Sequence, residues 1–582
     1  MTNRRVFVPV LLAAAVLAVP AAALAAAGPA PGSAARAAQP AAARPANGLG
    51  QKPYMGWSSW SLESTRFPGY NGESFITEAN VKKMSNVMAS KLQAFGYTYV
   101  NIDSGWSNGF DSFGRPRADS GKFPDGIAAV ASYVHAKGQK LGIYYIGGLN
   151  PSVYDRNSPI QGTACHARDI AVQPLTKTNS WMTNWAINWS NPCAQAYINS
   201  IANQFASWGV DFLKLDGITP TTFRNIGPSA TDGRGDVKAW SQALIQTGRP
   251  IWLTISWSIR HDFASYWKQY ANGIRVDTDV ECYCNTIVTW DHSVKARFKD
   301  LTLWAGDIGP GTWADMDSVD VGVGAMDGIT NDERQTVMTF WAAESAPLYS
   351  GDDLTKLDSF GLSLLTNTEV IAVDQAARPA RPVSTSTSQQ VWAAHNPDGS
   401  VTVALFNLGS STATVTAKWS DLGLSGSAAV RDLWSHTALG SFTGSFSASL
   451  PKHGSRLLRV TPRSGGATTS TLVNQGSGRC LDDPGANTTD GTHVIIWDCH
   501  GVSNQQWTVS GHQLQVLGKC LAAPTAVIAT CDTSAIQQWN VNADGTVTAV
   551  ASGLCLDVTG TANSPVKVAT CTGAPSQHWR RV

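Results

Sequence analysis

Two short stretches concentrate residues able to do chemistry. VDFLKLDGITP, residues 210 to 220, sets Lys214 and Asp216 two positions apart in an apolar run, and GIRVDTDV, residues 273 to 280, offers Arg275, Asp277 and Asp279. Side chains at i and i+2 of a strand share a face, so Lys214 and Asp216 point into one cavity if either does. A buried unpaired carboxylate is costly, and an adjacent ammonium lowers its pKa and keeps it charged. Such an aspartate can act as a nucleophile, although a structural ion pair on one strand would have the same pattern. A second acid separates the two readings. Cleaving a glycosidic bond by double displacement needs one carboxylate to attack and another, about 5–5.5 Å away, to donate a proton and later accept one. Asp277 and Asp279 are both candidates for that second role.

The elements that must position these residues recur along the chain from about residue 50 to 380. Strand candidates are YMGWSSW, YTYVNIDSGW, KLGIYYIGG, VDFLKLDG, PIWLTISW, GIRVDTDV, TWADMDSVDVG and APLYSGDDL, with helical segments such as EANVKKMSNVMASKLQAFG and CAQAYINSIANQFASWG between them. Repeated β-then-α order implies a parallel sheet, and about eight units over this length favour a closed (β/α)8 TIM barrel. In such barrels chemistry collects at the carboxyl ends of the strands. Those ends carry Trp57, Asp103, Tyr144 or Tyr145, Lys214 with Asp216, Trp257, Arg275 with Asp277 and Asp279, and Asp315 with Asp317.

Composition narrows the partner. The 582 residues carry a formal charge of +1, which gives no electrostatic reason to expect nucleic acid or an anionic membrane. The 22 tryptophans among only 15% charged residues suit sugar faces as well as cores. Residues 1–25, MTNRRVFVPVLLAAAVLAVPAAALA, read as a signal peptide with a small-residue cleavage site at Ala23-Leu24-Ala25, and Arg4-Arg5 leaves a twin-arginine route open. The Ala/Pro-rich residues 26–48 are expected to be a linker. The mature chain is expected to be secreted, with no membrane attachment after signal removal.

Ten cysteines in an exported chain read as disulfides before metal ligands. Six lie in a threefold repeat: GRCLDDPG leading to VIIWDCHGVSNQQW, GKCLAAP to VIATCDTSAIQQW, and GLCLDVTG to VKVATCTGAPSQHW. Units this small must pack on one another, and each carries its own pair: Cys480–Cys499, Cys520–Cys531 and Cys555–Cys571. A Cys165–Cys193 bridge would fasten a long insertion after the third strand, whose Trp181, Trp185 and Trp189 would wall the cavity. Cys282 and Cys284 could bridge locally, bridge elsewhere or remain thiols, and no His/Cys cluster suggests a metal.

The Q-x-W residues of the repeats (Gln505 and Trp507, Gln537 and Trp539, Gln577 and Trp579) resemble the ricin-B-type β-trefoil, carbohydrate-binding module family 13, across residues 471–582. That resemblance makes the Q-x-W residues core and assigns sugar to an Asp after the first Cys, an aromatic before the second, and an Asn. Only the first repeat has the set, Asp482, Trp497 and Asn504. The second has Ala522 and Ala529, and the third keeps Asp557 but has Ala569 and Ser576.

GWSSW, YVNIDSGW, DFLKLDG, the Arg275/Asp279 spacing, GPGTWADMD and FWAAESAPLYSGDDL together resemble glycoside hydrolase family 27, the α-galactosidase and α-N-acetylgalactosaminidase family. The resemblance implies a retaining, metal-free and cofactor-free hydrolase over residues 49–380. It makes Asp216 the nucleophile, Lys214 a sugar-binding neighbour, Asp279 the acid/base, and Asp277 an outer or sugar-contacting group and runner-up acid. Trp57, Asp103, Ser104, Tyr144, Ser256, Trp257 and Arg275 complete the expected substrate-binding set. Two positions depart from the family pattern. Galactosidases usually end the second strand in two aspartates where this chain has Asp103-Ser104, and carry C-E-W on the fifth where it has ISW with Ser256. A hydroxyl in place of a charged acceptor weakens or retunes recognition. β-L-Arabinopyranosidase and isomalto-dextranase activities are therefore alternatives to α-galactosidase, as is a non-catalytic sugar-binding protein. Residues 383–462 alternate apolar and polar positions around an Asn-Pro-Asp-Gly turn, predicting an antiparallel β-sandwich, and 463–470 reads as a flexible linker. The expected partner is an oligosaccharide or polysaccharide.

Overall fold

A computed structural model describes residues 47–70, 72–221, 232–463, 468–542, 544–560 and 562–582. The expected signal peptide and nearly all of the expected first linker lie outside these residues.

Each of the eight predicted strand segments contains one strand of a parallel sheet: β1 (Met55–Ser58), β2 (Tyr99–Ile102), β3 (Lys140–Ile146), β4 (Phe212–Asp216), β5 (Trp252–Ile255), β6 (Gly273–Arg275), β7 (Trp313–Asp315) and β8 (Leu348–Ser350). They pair in chain order, and β8 returns to β1 with Leu348 opposite Met55. Between β7 and β8 the wall is completed just past the strand ends, where the Val319 amide donates to the Tyr349 carbonyl at 2.7 Å. The strands are apolar on both faces because helices cover the outside and side chains fill the inside.

The covering helices start and stop where local chemistry dictates. In α1 (Glu78–Lys91) the Thr77 hydroxyl accepts from the Asn80 amide. In α2 (Pro192–Trp208) Asn191 caps the first turn, Pro192 occupies the first helical position, and Gly209 ends the helix in the left-handed region. Its buried residues Ala194, Tyr197, Ile198, Ile201, Ala202 and Phe205 form one helical stripe.

The predicted sandwich is a six-stranded antiparallel sheet packed on a two-stranded one. It shares a core with the barrel. Phe298 of α3 (Ala296–Trp304) stacks on Phe340 of α4 (Asn331–Ala343) with centroids 3.8 Å apart, and Trp392 and Phe406 of the sandwich meet Phe340 edge-on.

The C-terminal repeats close around Trp507, Trp539 and Trp579, whose indoles donate to the carbonyls of Leu481, Leu521 and Leu556 at 3.0, 2.8 and 3.0 Å. One boundary differs from expectation. Thr468–Ser470, expected within the linker, is a strand paired with Trp507–Ser510, since residues as β-branched as Thr468 and Thr469 suit a ladder better than a tether. The ten cysteines form five bridges: Cys165–Cys193, Cys282–Cys284, Cys480–Cys499, Cys520–Cys531 and Cys555–Cys571. Among the described residues no helix is long and apolar enough to cross a membrane.

Candidate active site

Lys214 and Asp216 end β4 and face the barrel interior. The expected pairing between them is replaced by a longer reach. The lysine extends past β3 to the end of β2, where Nζ donates to Asp103 Oδ2 at 2.7 Å. Two side chains at i and i+2 lie alongside each other, so the flexible lysine stem finds its contact across the barrel. The rings of Trp60 and Tyr144 lie 5.9 and 5.6 Å from the ammonium. Burial opposes the charge of Lys214, but Asp103 and Asp216 outweigh it and raise the pKa. Asp216 is 7% exposed and accepts from the Gly217 amide at 2.9 Å. Its pKa is raised, not lowered as the sequence suggested: burial is the largest effect, and Lys214 opposes it.

Arg275 organises the wall formed by the ends of β6, β7 and β8. Its guanidinium donates to Asp317 at 2.7 Å, to Asp279 at 3.2 Å and to Asp315 at 3.4 Å, and Nη2 contacts Tyr349 Oη at 3.0 Å. Asp279 also accepts from Tyr283 Oη. Burial and then Asp317 raise the Asp279 pKa, while Lys214 and Arg275 oppose them. Lys214 and Tyr144 each feel both Asp216 and Asp279, so the two carboxyl groups share one electrostatic neighbourhood. Asp277 is drawn elsewhere: Arg297 of α3 donates to its carboxylate, and the Thr278 amide donates at 2.8 Å. Below Lys214 the barrel axis narrows to a void of about 10 Å³ between Asp103, Arg275 and Tyr349. That is room for about one water, so this level is the floor for any sugar ring.

Several predicted contacts lie at other depths. Trp57 is 0% exposed, its indole donating to the Asp352 carbonyl at 2.9 Å, and the partly exposed aromatic of GWSSW is Trp60. Ser256 is fully buried as well, with its amide and carbonyl bonded to Leu215 and Ile218. Half-buried Trp257 instead meets Trp181 of the insertion, with ring centroids 5.9 Å apart. Trp181 crosses Gly217 so closely that a Cβ there would lie 2.5 Å from the indole, and Gly217 has φ +70°, so glycine is required on both counts. The other insertion tryptophans do not share this position: Lys177 covers Trp185 at 3.6 Å, and Trp189 packs on Gly235. Asp103 sits as predicted at the β2 end, and the neighbouring Ser104 hydroxyl turns towards Glu73, 3.4 Å away. Sequence reasoning missed Trp60, Tyr283 and Glu73, which reach the mouth from the connections that follow β1 and β6, Trp60 at the start of a short helix, Trp60–Ser64.

Asp279, Glu281 and Asp317 bring carboxylate oxygens within 4.8 Å of one another. Arg275 donates to two of the three, and Ser61 Oγ donates to Glu281 Oε1 at 2.5 Å, while Glu281 Oε2 is buried without a hydrogen-bond partner among the described residues.

In the first C-terminal repeat, Asn504 and Gln505 donate to the two oxygens of Asp482 at 3.1 and 2.7 Å, and His500 Nε2 lies 3.4 Å from it. Trp497, 40% exposed, stands on the strand paired with that of Asp482. Buried acceptor and exposed ring thus lie on adjacent strands.

Comparisons with known proteins agree with this architecture. The family model described as alpha galactosidase A matches residues 52–154 and 185–376, the alpha galactosidase C-terminal beta sandwich domain matches 386–460, and the ricin-type beta-trefoil lectin domain matches 468–579. The α-galactosidase of Coffea arabica is 34% identical over 72% of this chain and 96% of its own length; that of Cyamopsis tetragonoloba is 33% identical over 72% and 88%. Among solved structures, a β-L-arabinopyranosidase from Geobacillus stearothermophilus in complex with arabinose superposes with a TM-score of 0.64 at 29% identity, covering 71% of this chain and 98% of that one. α-Galactosidase I of Mortierella vinacea gives 0.57 at 27%, covering 72% and 100%. The chain is therefore an α-galactosidase-like glycosidase of glycoside hydrolase family 27, with a ricin-type trefoil at its C-terminus.

Proposed function

We propose that this glycosidase is exported and works with retention of configuration, Asp216 attacking the anomeric carbon while Asp279 acts first as acid and then as base. The supporting observation is the unequal surroundings of the two acids. After burial, the largest influence on Asp216 is the Lys214 ammonium, whereas on Asp279 it is the Asp317 carboxylate. Neighbouring carboxyl groups avoid ionising together, so the proton resides on the one in the more negative field. In the first step Asp279 gives that proton to the leaving oxygen as the C1–O bond breaks and Asp216 closes an ester at C1. In the second a water attacks C1, the ester bond breaks, and Asp279 takes the water's proton. Asp103 and Lys214 hold sugar hydroxyls at the floor, Trp60, Tyr144 and Trp257 face the ring, and Arg275 fixes Asp279. Five disulfides fit an oxidising destination.

The leading substrate is a terminal α-galactoside. Ser104, where galactosidases usually have a second aspartate, favours β-L-arabinopyranoside as the second reading, because that sugar differs from an α-galactoside only by lacking the hydroxymethyl group on C5. The trefoil holds polysaccharide through Asp482, Trp497 and Asn504, keeping the barrel near its substrate.

Nitrophenyl α-galactoside, β-L-arabinopyranoside and α-glucoside, with dextran, test the reading. Asp216→Ala is expected to abolish hydrolysis. Asp279→Ala is expected to lower kcat about 10²–10⁴-fold on leaving groups that need protonation. An undiminished rate in Asp216→Ala removes the assignment, and a parent enzyme inert on the whole panel favours a sugar-binding protein with a silent barrel.

A further inference from the structure

The end of β2 carries one carboxylate, and it is shared with protein donors. Asp103 has both oxygens engaged, one by the Ser104 amide at 2.9 Å and one by Lys214 at 2.7 Å. Ser104 contributes a hydroxyl, and that hydroxyl points at Glu73, whose Oε1 lies 3.4 Å away. Glu73 belongs to a short turn, Gly72–Ser74, in the loop that follows β1. Its main chain is fastened independently of its side chain: Lys122 Nζ donates to the Glu73 carbonyl at 2.9 Å and to the Gly105 carbonyl at 3.1 Å, tying the loops after β1 and β2 together. The carboxylate leans over Gly105, where a Cβ would come within 3.2 Å of Oε2 and 3.1 Å of Lys122 Nζ, so the ammonium shares this corner with it. Among the described residues the hydrogen-bond donor to that carboxylate is Ser104, while Lys122 Nζ is held by the two main-chain carbonyls. The chain thus holds an exposed carboxylate beside Ser104, the residue that follows Asp103 of the Asp103–Lys214 pair.

We propose that Glu73 is a sugar-contacting residue that sets specificity, supplying from a loop the anionic acceptor that position 104 lacks. A carboxylate accepting from a hydroxyl makes a stronger bond than a serine does, and an acceptor on the longer glutamate stem contacts a hydroxyl nearer the rim than Asp103 can. Ser104 then bridges protein and sugar, donating to Glu73 and accepting from the substrate. The inference rests on the reading of this barrel mouth as the sugar site.

The test uses the full chain and whichever aryl glycoside it cleaves fastest. Glu73→Gln and Glu73→Ala are each expected to lower kcat/KM about 10- to 100-fold, chiefly through KM, the loss of one hydrogen bond to a charged group. Adding Ser104→Asp to Glu73→Ala is expected to recover at least about tenfold, because a carboxylate at 104 reaches the space Glu73 vacates. Ser104→Asp alone is expected to impair the enzyme by setting two carboxylates together. The same variants are titrated with galactose and L-arabinose by calorimetry, so the answer stands even if Asp216 proves not to be the nucleophile. Unchanged kcat/KM and sugar affinity in Glu73→Ala overturn the proposal. So does a loss that Ser104→Asp fails to rescue in a protein of unaltered melting temperature, which would make Glu73 a loop residue only.

Discussion

Tyr283 donates to Asp279 from between Cys282 and Cys284, whose bridge closes the loop around it. A phenol donating to a carboxylate favours the charged form, so removing it raises the pKa of the acid. Tyr283→Phe is expected to move the alkaline limb of the kcat/KM profile to higher pH with a modest fall in the maximum, because the proton on Asp279 is then held more firmly. An unmoved limb separates Tyr283 from the acid/base. At this scale the sequence was informative where alternation sets the face, as at Lys214 and Asp216. It was uninformative about depth: Trp57 on β1 and Ser256 just past β5 are sealed beneath the mouth. Partner choice was hidden as well, since the contact of Lys214 with Asp103 spans 111 positions and depends on which strands become neighbours.

At the scale of elements, all eight barrel strands were legible because each is an apolar run bounded by turns and followed by a helical stripe. What the sequence obscured lies in the connections. The connection after β1 delivers Trp60, at the start of a one-turn helix, and Glu73, the loop after β6 delivers Tyr283, and the insertion carries Trp181 across Gly217 while residues 155–184 fall outside the matched family segments. Loops carry no periodicity from which the direction of a side chain could be read. The C-terminal repeats were clearer, since Q-x-W recurs with a fixed job. Gln505, Gln537 and Gln577 each accept from a main-chain amide five residues earlier, at His500, Asp532 and Thr572. Because only the first repeat joins a buried Asp to an exposed Trp, Trp497→Ala is expected to reduce polysaccharide retention in a pull-down about tenfold or more while leaving hydrolysis of small aryl glycosides unchanged. Undiminished retention would place binding in another repeat.

At the scale of the whole molecule, the barrel and sandwich share one hydrophobic core. Phe298, Phe340, Trp392 and Phe406 form a continuous aromatic seam, His453 stacks on Trp290 at 3.9 Å, and Arg431 donates to Glu369 at 2.8 and 2.5 Å. The sandwich thereby covers the outside of α3 and α4, the helices that follow β6 and β7. Trapping the reaction intermediate tests this account at its centre. A 2-deoxy-2-fluoro or 5-fluoro glycosyl fluoride of the preferred sugar, reacted with the intact enzyme, digested and mapped by mass spectrometry, is predicted to leave one glycosyl ester on Asp216. An adduct on Asp279 or Asp277, or full turnover with inverted product and no adduct, would contradict it.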